Sequence, residues 1–203
     1  MNTAFENCAL VLVDIQNDFC PGGALAVADG DKTVAVANSL MHHFQLIIST
    51  QDWHPINHVS FKERGGPWPP HCVQETVGAE LHPALDRAAI AHYLFKASSR
   101  DNDAYSEFEG RDERGRSLDE LLRSYEVTRL YVVGLATDYC VRETVLDGLS
   151  RGYQVYVCTD GVRAVNVDPR DGEKALEEMT KAGARLVTSS QIIESGAADF
   201  AAG

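Results

Sequence analysis

Long apolar runs are absent from this sequence of 203 residues, although hydrophobic side chains make up 44% of it and charged ones 24%. A helix that spans a membrane needs about 18 or more consecutive apolar residues, so we expect no membrane partner. Residues 1–7 lack the basic stretch followed by an apolar one that a secretion signal requires. The composition is otherwise ordinary for a globular protein with a proper core.

Basic residues and cysteines are also scarce. The 18 Lys and Arg residues face 30 Asp and Glu residues, which gives a formal net charge of -12. Nucleic acids repel such a charge, so we expect no nucleic-acid partner. The five cysteines are odd in number, widely spaced and without a C-x-x-C pair. This distribution favours reduced thiols in a cytoplasmic protein over a disulfide scaffold.

Short apolar runs alternate with segments of helical periodicity. The predicted strands are Cys8–Val13, Leu46–Thr50, Ala91–Phe95, Leu130–Val133, Tyr153–Cys158 and Arg185–Val187. The predicted helices are Asp31–Phe44, Leu118–Tyr125, Thr137–Leu149 and Arg170–Ala182. The alternation predicts an α/β fold with a mostly parallel sheet of about six strands between two helix layers. We expect residues 1–203 to form one such domain, with a loose tail from Gly196.

Cys140 lies where the fourth predicted strand turns through Gly134 into a predicted helix. Thr137 and Asp138 are suited to cap that helix, which would place Cys140 among the free N–H groups of its first turn. This setting lowers a thiol pKa and makes the sulfur a nucleophile. A small buried core cysteine is the alternative, and it is the commoner fate of a free cysteine.

Other reactive side chains follow the predicted strands at their carboxyl ends. Asp14, Asp52 and Lys96 come directly after or just beyond three strands, and the fourth strand leads to Cys140. Ligands of parallel sheets bind beyond these ends, so we expect all four side chains in one crevice. A cysteine that attacks a carbonyl needs a proton acceptor and a stabilising charge. Asp14 and Lys96 would supply them, although each alone could be an ordinary surface group.

A metal site is indicated by the next segment. Asp52 and His54 lie at positions i and i+2 of an extended segment and so face the same side. His71 can add a third ligand from a long loop, residues 52–85, that holds five of the seven prolines. Two imidazoles and one carboxylate suit zinc, iron or manganese and leave coordination positions open. Pairing of these side chains without a metal is the alternative. Further candidate ligands in this loop are His58 and Glu63.

Segments spread nearly end to end along the chain resemble the isochorismatase-like cysteine hydrolases, and within that family the nicotinamidases. They are Val13–Phe19 with Pro21–Leu25, Gln51–Pro55 with Asn57–Phe61, Trp68–Cys72, Phe95–Lys96, Asp103–Ser106 with Phe108, and Gly134–Arg142. Each segment is a weak signal, whereas the joint pattern is highly specific. The resemblance implies an amidohydrolase that converts nicotinamide to nicotinate and ammonia through a cysteine thioester. Pyrazinamide is an expected second substrate.

The resemblance also implies the roles of individual residues. The implied catalytic triad is Asp14, Lys96 and Cys140, and the implied oxyanion hole is formed by the N–H groups of Ala136 and Cys140, after a cis peptide bond between Leu135 and Ala136. The implied walls of the substrate pocket are Phe19, Trp68 and Tyr105. One divalent metal ion, with zinc favoured over iron or manganese, is implied on Asp52, His54 and His71, where it would hold the pyridine nitrogen.

Alternatives stay open at this point. Another hydrolase of the same fold could act on N-carbamoyl compounds or on isochorismate, although the latter reaction, cleavage of a vinyl ether, does not need the cysteine or the metal set. A non-enzymatic metal-binding or redox-sensing protein is a third alternative, in which Asp14 and Lys96 would have no purpose. A small-molecule amide is the expected partner, and association into a homo-oligomer stays open.

Overall fold

Six strands form one parallel sheet in the computed structural model, which describes residues 5–195. The strands are β1 (Cys8–Val13), β2 (Leu46–Asp52), β3 (His92–Lys96), β4 (Arg129–Leu135), β5 (Gln154–Arg163) and β6 (Arg185–Val187), in the order β3-β2-β1-β4-β5-β6. Every neighbouring pair is parallel. The prediction of a parallel α/β sheet with about six strands is therefore confirmed. The tail predicted to be loose from Gly196 lies outside the described residues.

Strand β1 lies at the centre of the sheet, and all six of its residues are buried. Its sequence is almost wholly apolar because helices cover both faces of the sheet, as is usual for parallel strands. Val11 pairs with Ile48 of β2 on one side and with Val132 of β4 on the other. The residue after β1, Asp14, is therefore held at the middle of the carboxyl edge.

Five α-helices flank the sheet in two layers. They are α1 (Lys32–Met41), α2 (Leu118–Ser124), α3 (Arg142–Ser150), α4 (Asp171–Ala182) and α5 (Ser189–Ser195). Apolar side chains of α1 and α5 pack on one face of the sheet, and those of α2, α3 and α4 pack on the other. Among residues 5–195, no helix combines the length and the apolar character needed to cross a membrane.

Several predicted element ends differ from the structure. Asp52 and Lys96 are the last residues of β2 and β3, rather than residues beyond them, and they pair with each other in the sheet. Strand β5 continues beyond Cys158, its predicted last residue, as far as Arg163. A shift in its register with β4 allows this extension. Helix α5 was not predicted. The polar ends of β2, β3 and β5 each pair with a neighbouring strand.

The predicted helix from Thr137 is interrupted. Residues 137–141 form a π-type turn in which Tyr139 has non-helical angles (φ −127°, ψ −105°), and the regular helix α3 begins only at Arg142. The predicted cap is also wrong. The Asp138 carboxylate accepts hydrogen bonds from the N–H groups of Val165 and Asn166, in the loop after β5, and not from its own helix.

Candidate active site

Three charged side chains meet at the carboxyl ends of β1, β2 and β3. The Nζ atom of Lys96 lies 2.5 Å from Oδ2 of Asp14 and 2.6 Å from Oδ1 of Asp52, and all three side chains are buried. The sheet explains the meeting, because Asp52 and Lys96 are paired and Asp14 follows the adjacent central strand. Asp14 also has a φ of 47°, an uncommon angle that tends to occur at functional sites.

The thiol of Cys140 joins this group from the turn after β4. Its sulfur and carboxylate oxygens of Asp14 and Asp52 all lie within 4.8 Å of one another. The cis peptide bond expected between Leu135 and Ala136 is present just before this turn. The structure thus brings the three residues of the expected triad together.

The proton affinities of this group differ from our expectation. Burial raises the pKa of the Cys140 thiol well above its usual range and outweighs the opposing effect of Lys96. A lowered thiol pKa was expected, but the regular helix starts only at Arg142 and two carboxylates lie beside the sulfur. Burial also raises the pKa of Asp14, against the effect of Lys96. The Cys140 thiol is therefore neutral, and it faces the Asp14 carboxylate, whose affinity for a proton is increased.

Asp52 also belongs to a second cluster. Ligand atoms of Asp52, His54 and His71 lie within 4.8 Å of one another, and all three residues are buried. Nδ1 of His54 faces the carbonyl oxygen of Ala97 at 3.3 Å, and Nδ1 of His71 faces that of Pro69 at 2.8 Å. Such backbone contacts orient imidazole ligands and leave the other nitrogen available. The donor set and its closeness fit one divalent metal ion.

The two further candidate ligands lie outside this cluster. The ring of His58 stacks on that of His54 at 4.3 Å between centroids. Its nitrogens contact the Ser60 hydroxyl at 2.7 Å and the Asn102 carbonyl oxygen at 2.9 Å. Glu63 is exposed in a short 3-10 turn. His58 therefore packs against the ring of His54 while both of its own nitrogens are engaged elsewhere. Glu63 is not part of the Asp52, His54 and His71 cluster.

An aromatic pocket opens next to both clusters. Phe19, Trp68 and Tyr105 line it, as do Ala136, Tyr139, Cys140, Asp52 and His71. The indole N–H of Trp68 donates a hydrogen bond to the Tyr105 hydroxyl at 3.0 Å and joins the two long loops that enclose the pocket. Tyr139 packs edge-on against Trp68, with 5.0 Å between ring centroids.

Two residues at this site were not predicted. Tyr139 reaches the pocket because the chain leaves helical geometry at this residue. The apolar periodicity of the sequence from Thr137 to Leu149 did not reveal this break. Glu107 lies in a polar loop without a motif of its own, yet its Oε1 is 3.3 Å from Lys96 Nζ and its side chain is fully buried. Burial, followed by the charge of Asp14, raises the pKa of Glu107 well above its usual range.

A thiol, a carboxylate and an ammonium group at the carboxyl edge of a parallel sheet are the groups that a hydrolase with a cysteine nucleophile requires. The chain belongs to the isochorismatase family, because the Isochorismatase domain matches residues 8–191. The predicted family is thus confirmed.

Characterised relatives make this family membership more specific. The nicotinamidase of Escherichia coli (strain K12) is 49% identical over 200 residues, which cover 89% of this chain and 94% of that protein. A pyrazinamidase of Pyrococcus horikoshii, solved in complex with zinc, is 47% identical with a TM-score of 0.81 and covers 90% of this chain and 99% of its own. PnC1 of L. infantum, solved in complex with nicotinate, is 37% identical with a TM-score of 0.84, covering 91% and 94%.

Proposed function

We propose that this protein is an amidohydrolase that converts nicotinamide to nicotinate and ammonia. The observation that carries the proposal is the Cys140 sulfur beside Asp14 and Lys96, at one side of an aromatic pocket that also borders the Asp52 and His71 cluster. The similarity to a nicotinamidase, and to a protein solved with nicotinate, supports this substrate. The similarity to a pyrazinamidase supports pyrazinamide as a second one.

In the first half of the reaction, Asp14 accepts the thiol proton as the Cys140 sulfur attacks the carboxamide carbon. The N–H groups of Ala136 and Cys140 donate hydrogen bonds to the developing oxyanion, which is the type of contact that lowers such barriers most. Lys96 stabilises the negative charge shared by Asp14 and the sulfur. Asp14 then gives the proton to the amide nitrogen, the C–N bond breaks, and ammonia leaves a thioester on Cys140.

In the second half, a water molecule enters the place of ammonia. Asp14 accepts one of its protons while the water oxygen attacks the thioester carbon. The tetrahedral intermediate expels the Cys140 sulfur, which takes back the proton from Asp14. The product leaves as nicotinic acid and loses its proton to the solvent to become nicotinate, and the thiol and the carboxylate return to their starting states.

The second cluster serves binding in this proposal. Asp52, His54 and His71 would hold one divalent ion, and the zinc-containing relative supports zinc as that ion. When bound, the ion supplies an open coordination position for the pyridine nitrogen. Phe19 and Trp68 would flank the ring, so that the carboxamide points toward Cys140. The five free thiols support a reducing, cytoplasmic location.

Ammonia release from nicotinamide tests the proposal. We expect the wild-type protein to release ammonia and Cys140→Ala to release none while keeping its circular dichroism spectrum. Cys8→Ala is the matched control, because Cys8 lies at the opposite end of β1 from the site. Release from N-carbamoyl substrates but not from nicotinamide, or full activity of Cys140→Ala, would overturn the proposal.

A further inference from the structure

The side chain of Gln16 bonds to both peptide groups of Asp52. Its Oε1 atom accepts a hydrogen bond from the Asp52 N–H at 2.8 Å, and its Nε2 atom donates to the Asp52 carbonyl oxygen at 2.8 Å. The second N–H of this amide donates to the carbonyl oxygen of Ala79, also at 2.8 Å. Gln16 is fully buried, and both of its donors and its acceptor are used.

These contacts lie on the side of Asp52 where strand β1 no longer pairs with β2. The register between β1 and β2 ends with the pair Leu12 and Ser49. Beyond this pair, Asp52 has its partner Lys96 of β3 on one side only. The planar amide of Gln16 occupies the other side and makes the two hydrogen bonds that a strand would have made there. The backbone of Asp52 is thereby fixed on both sides.

The orientation of Asp52 matters because its carboxylate serves both clusters. Oδ1 lies 2.6 Å from Lys96 Nζ, whereas Oδ2 lies 3.4 Å from Nε2 of His54. A rotation of the Asp52 backbone would move both oxygens together. It would therefore disturb the presentation of the metal ligand and the placement of the ammonium group at once.

We propose that Gln16 is a positioning residue that sets the orientation of Asp52 and, through it, the affinity of the Asp52, His54 and His71 cluster for a divalent metal ion. The proposal rests on the proposed function, in which this cluster holds the metal. Loss of a hydrogen-bonding partner behind a metal ligand typically weakens metal binding about 10- to 100-fold. The effect of Gln16 should fall in this range.

The test is a zinc titration of the metal-free protein against a chromogenic chelator. Gln16→Met removes all three hydrogen bonds at similar volume, and we expect zinc binding to weaken about 10-fold or more. Gln16→Glu keeps the acceptor for the Asp52 N–H and loses both amide donors, so we expect a smaller but measurable loss. If the Met variant does not fold, the Glu variant decides the question.

Gln51→Met is the matched control. Gln51 donates to the same Ala79 carbonyl oxygen at 2.9 Å from a neighbouring buried position. Its loss therefore removes a comparable buried hydrogen bond while both bonds to Asp52 remain. We expect the dissociation constant of this variant for zinc to stay within threefold of the wild-type value. This should hold even if its thermal midpoint falls by as much as the midpoints of the Gln16 variants.

Wild-type zinc affinity in a folded Gln16 variant, or equal losses in the Gln16 and Gln51 variants, would overturn the proposal. Failure of the proposed function would look different. In that case the wild-type protein would release no ammonia from nicotinamide, whichever way the zinc titration turned out.

Discussion

Three carboxyl groups surround the ammonium group of Lys96. Asp14, Asp52 and Glu107 lie 2.5, 2.6 and 3.3 Å from its Nζ atom. Burial disfavours the charged form of Lys96, but the carboxylates outweigh burial and raise its pKa well above the usual range. One buried positive charge cannot balance three negative ones. Glu107 is the most distant of the three, and neither of its oxygens makes a hydrogen bond with good geometry within residues 5–195.

Replacing Glu107 by Gln should stabilise the protein most near neutral pH. Burial and the charge of Asp14 raise the pKa of Glu107 above its ordinary 4.5. Above that pH the unfolded chain releases a proton that the folded chain retains, so Glu107 lowers the stability as the pH rises. Gln does not titrate. We expect the variant to have a higher free energy of unfolding than the wild type at pH 7, and we expect this gain to shrink toward pH 4.

Urea unfolding at both pH values measures this gain. Glu109→Gln is the control, because Glu109 is exposed on the same turn and its replacement removes an equal charge. It should leave the stability nearly unchanged. A Glu107→Gln protein that is less stable than the wild type at pH 7 would show that Lys96 gains more from this carboxylate than its burial costs.

At the scale of single elements, local sequence patterns determined some features and distant contacts determined others. The bounds of β1 were predicted correctly because its apolar run is a purely local signal. The polar ends of β2 and β3 were missed because Asp52 and Lys96 are held in strands by each other. The break at Tyr139 was missed for the same kind of reason, since Asp138 is bound by a loop far along the chain.

Gly134 is an element-scale requirement of the site. Its φ is +123°, and a Cβ atom there would collide with the carbonyl oxygen of Val13, its partner in β1. Gly134→Ala should therefore lose roughly 2–5 kcal/mol of stability from backbone strain and overpacking together. The folded fraction should also have a lower kcat, because Val13 directly precedes Asp14.

Gly152→Ala provides the comparison for this prediction. Gly152 also has a positive φ, +89°, but a Cβ atom there would meet open space. Its replacement should cost only the conformational strain, roughly 1–2 kcal/mol, and leave kcat unchanged. Urea unfolding and ammonia release measure both effects. Equal losses in the two variants would mean that the close approach of β4 to β1 is unimportant.

At the scale of the whole molecule, the site depends on two long loops that close over the edge of the sheet. The His71 loop, residues 53–91, and the Tyr105 loop, residues 97–117, connect β2 to β3 and β3 to α2. They contact each other through Trp68 and Tyr105, and through His58 and the Asn102 carbonyl. No local pattern could show which side chains meet, because these contacts join residues far apart in sequence.

Removal of the metal should therefore weaken the attachment of the His71 loop to the sheet. The proposed ligands belong to both parts, with Asp52 at the end of β2 and His71 within the loop. An ion that binds only the folded chain at 100 times its dissociation constant contributes about 2.7 kcal/mol. In a chain of this size, that corresponds to a thermal midpoint roughly 5–10 °C higher for the zinc-loaded protein than for the chelator-treated one.

Two histidine variants show whether this shift comes from the proposed site. His71→Ala lacks one ligand, so its midpoint should respond little to zinc or chelator. His58→Ala should be less stable than the wild type because the ring that stacks on His54 is lost. It should nevertheless keep most of the zinc-dependent shift, because both His58 nitrogens are engaged elsewhere. A full shift in His71→Ala would place the stabilising ion outside this cluster. No shift in the wild type would mean that zinc does not stabilise the folded chain, and either result would contradict a metal that attaches the His71 loop to the sheet.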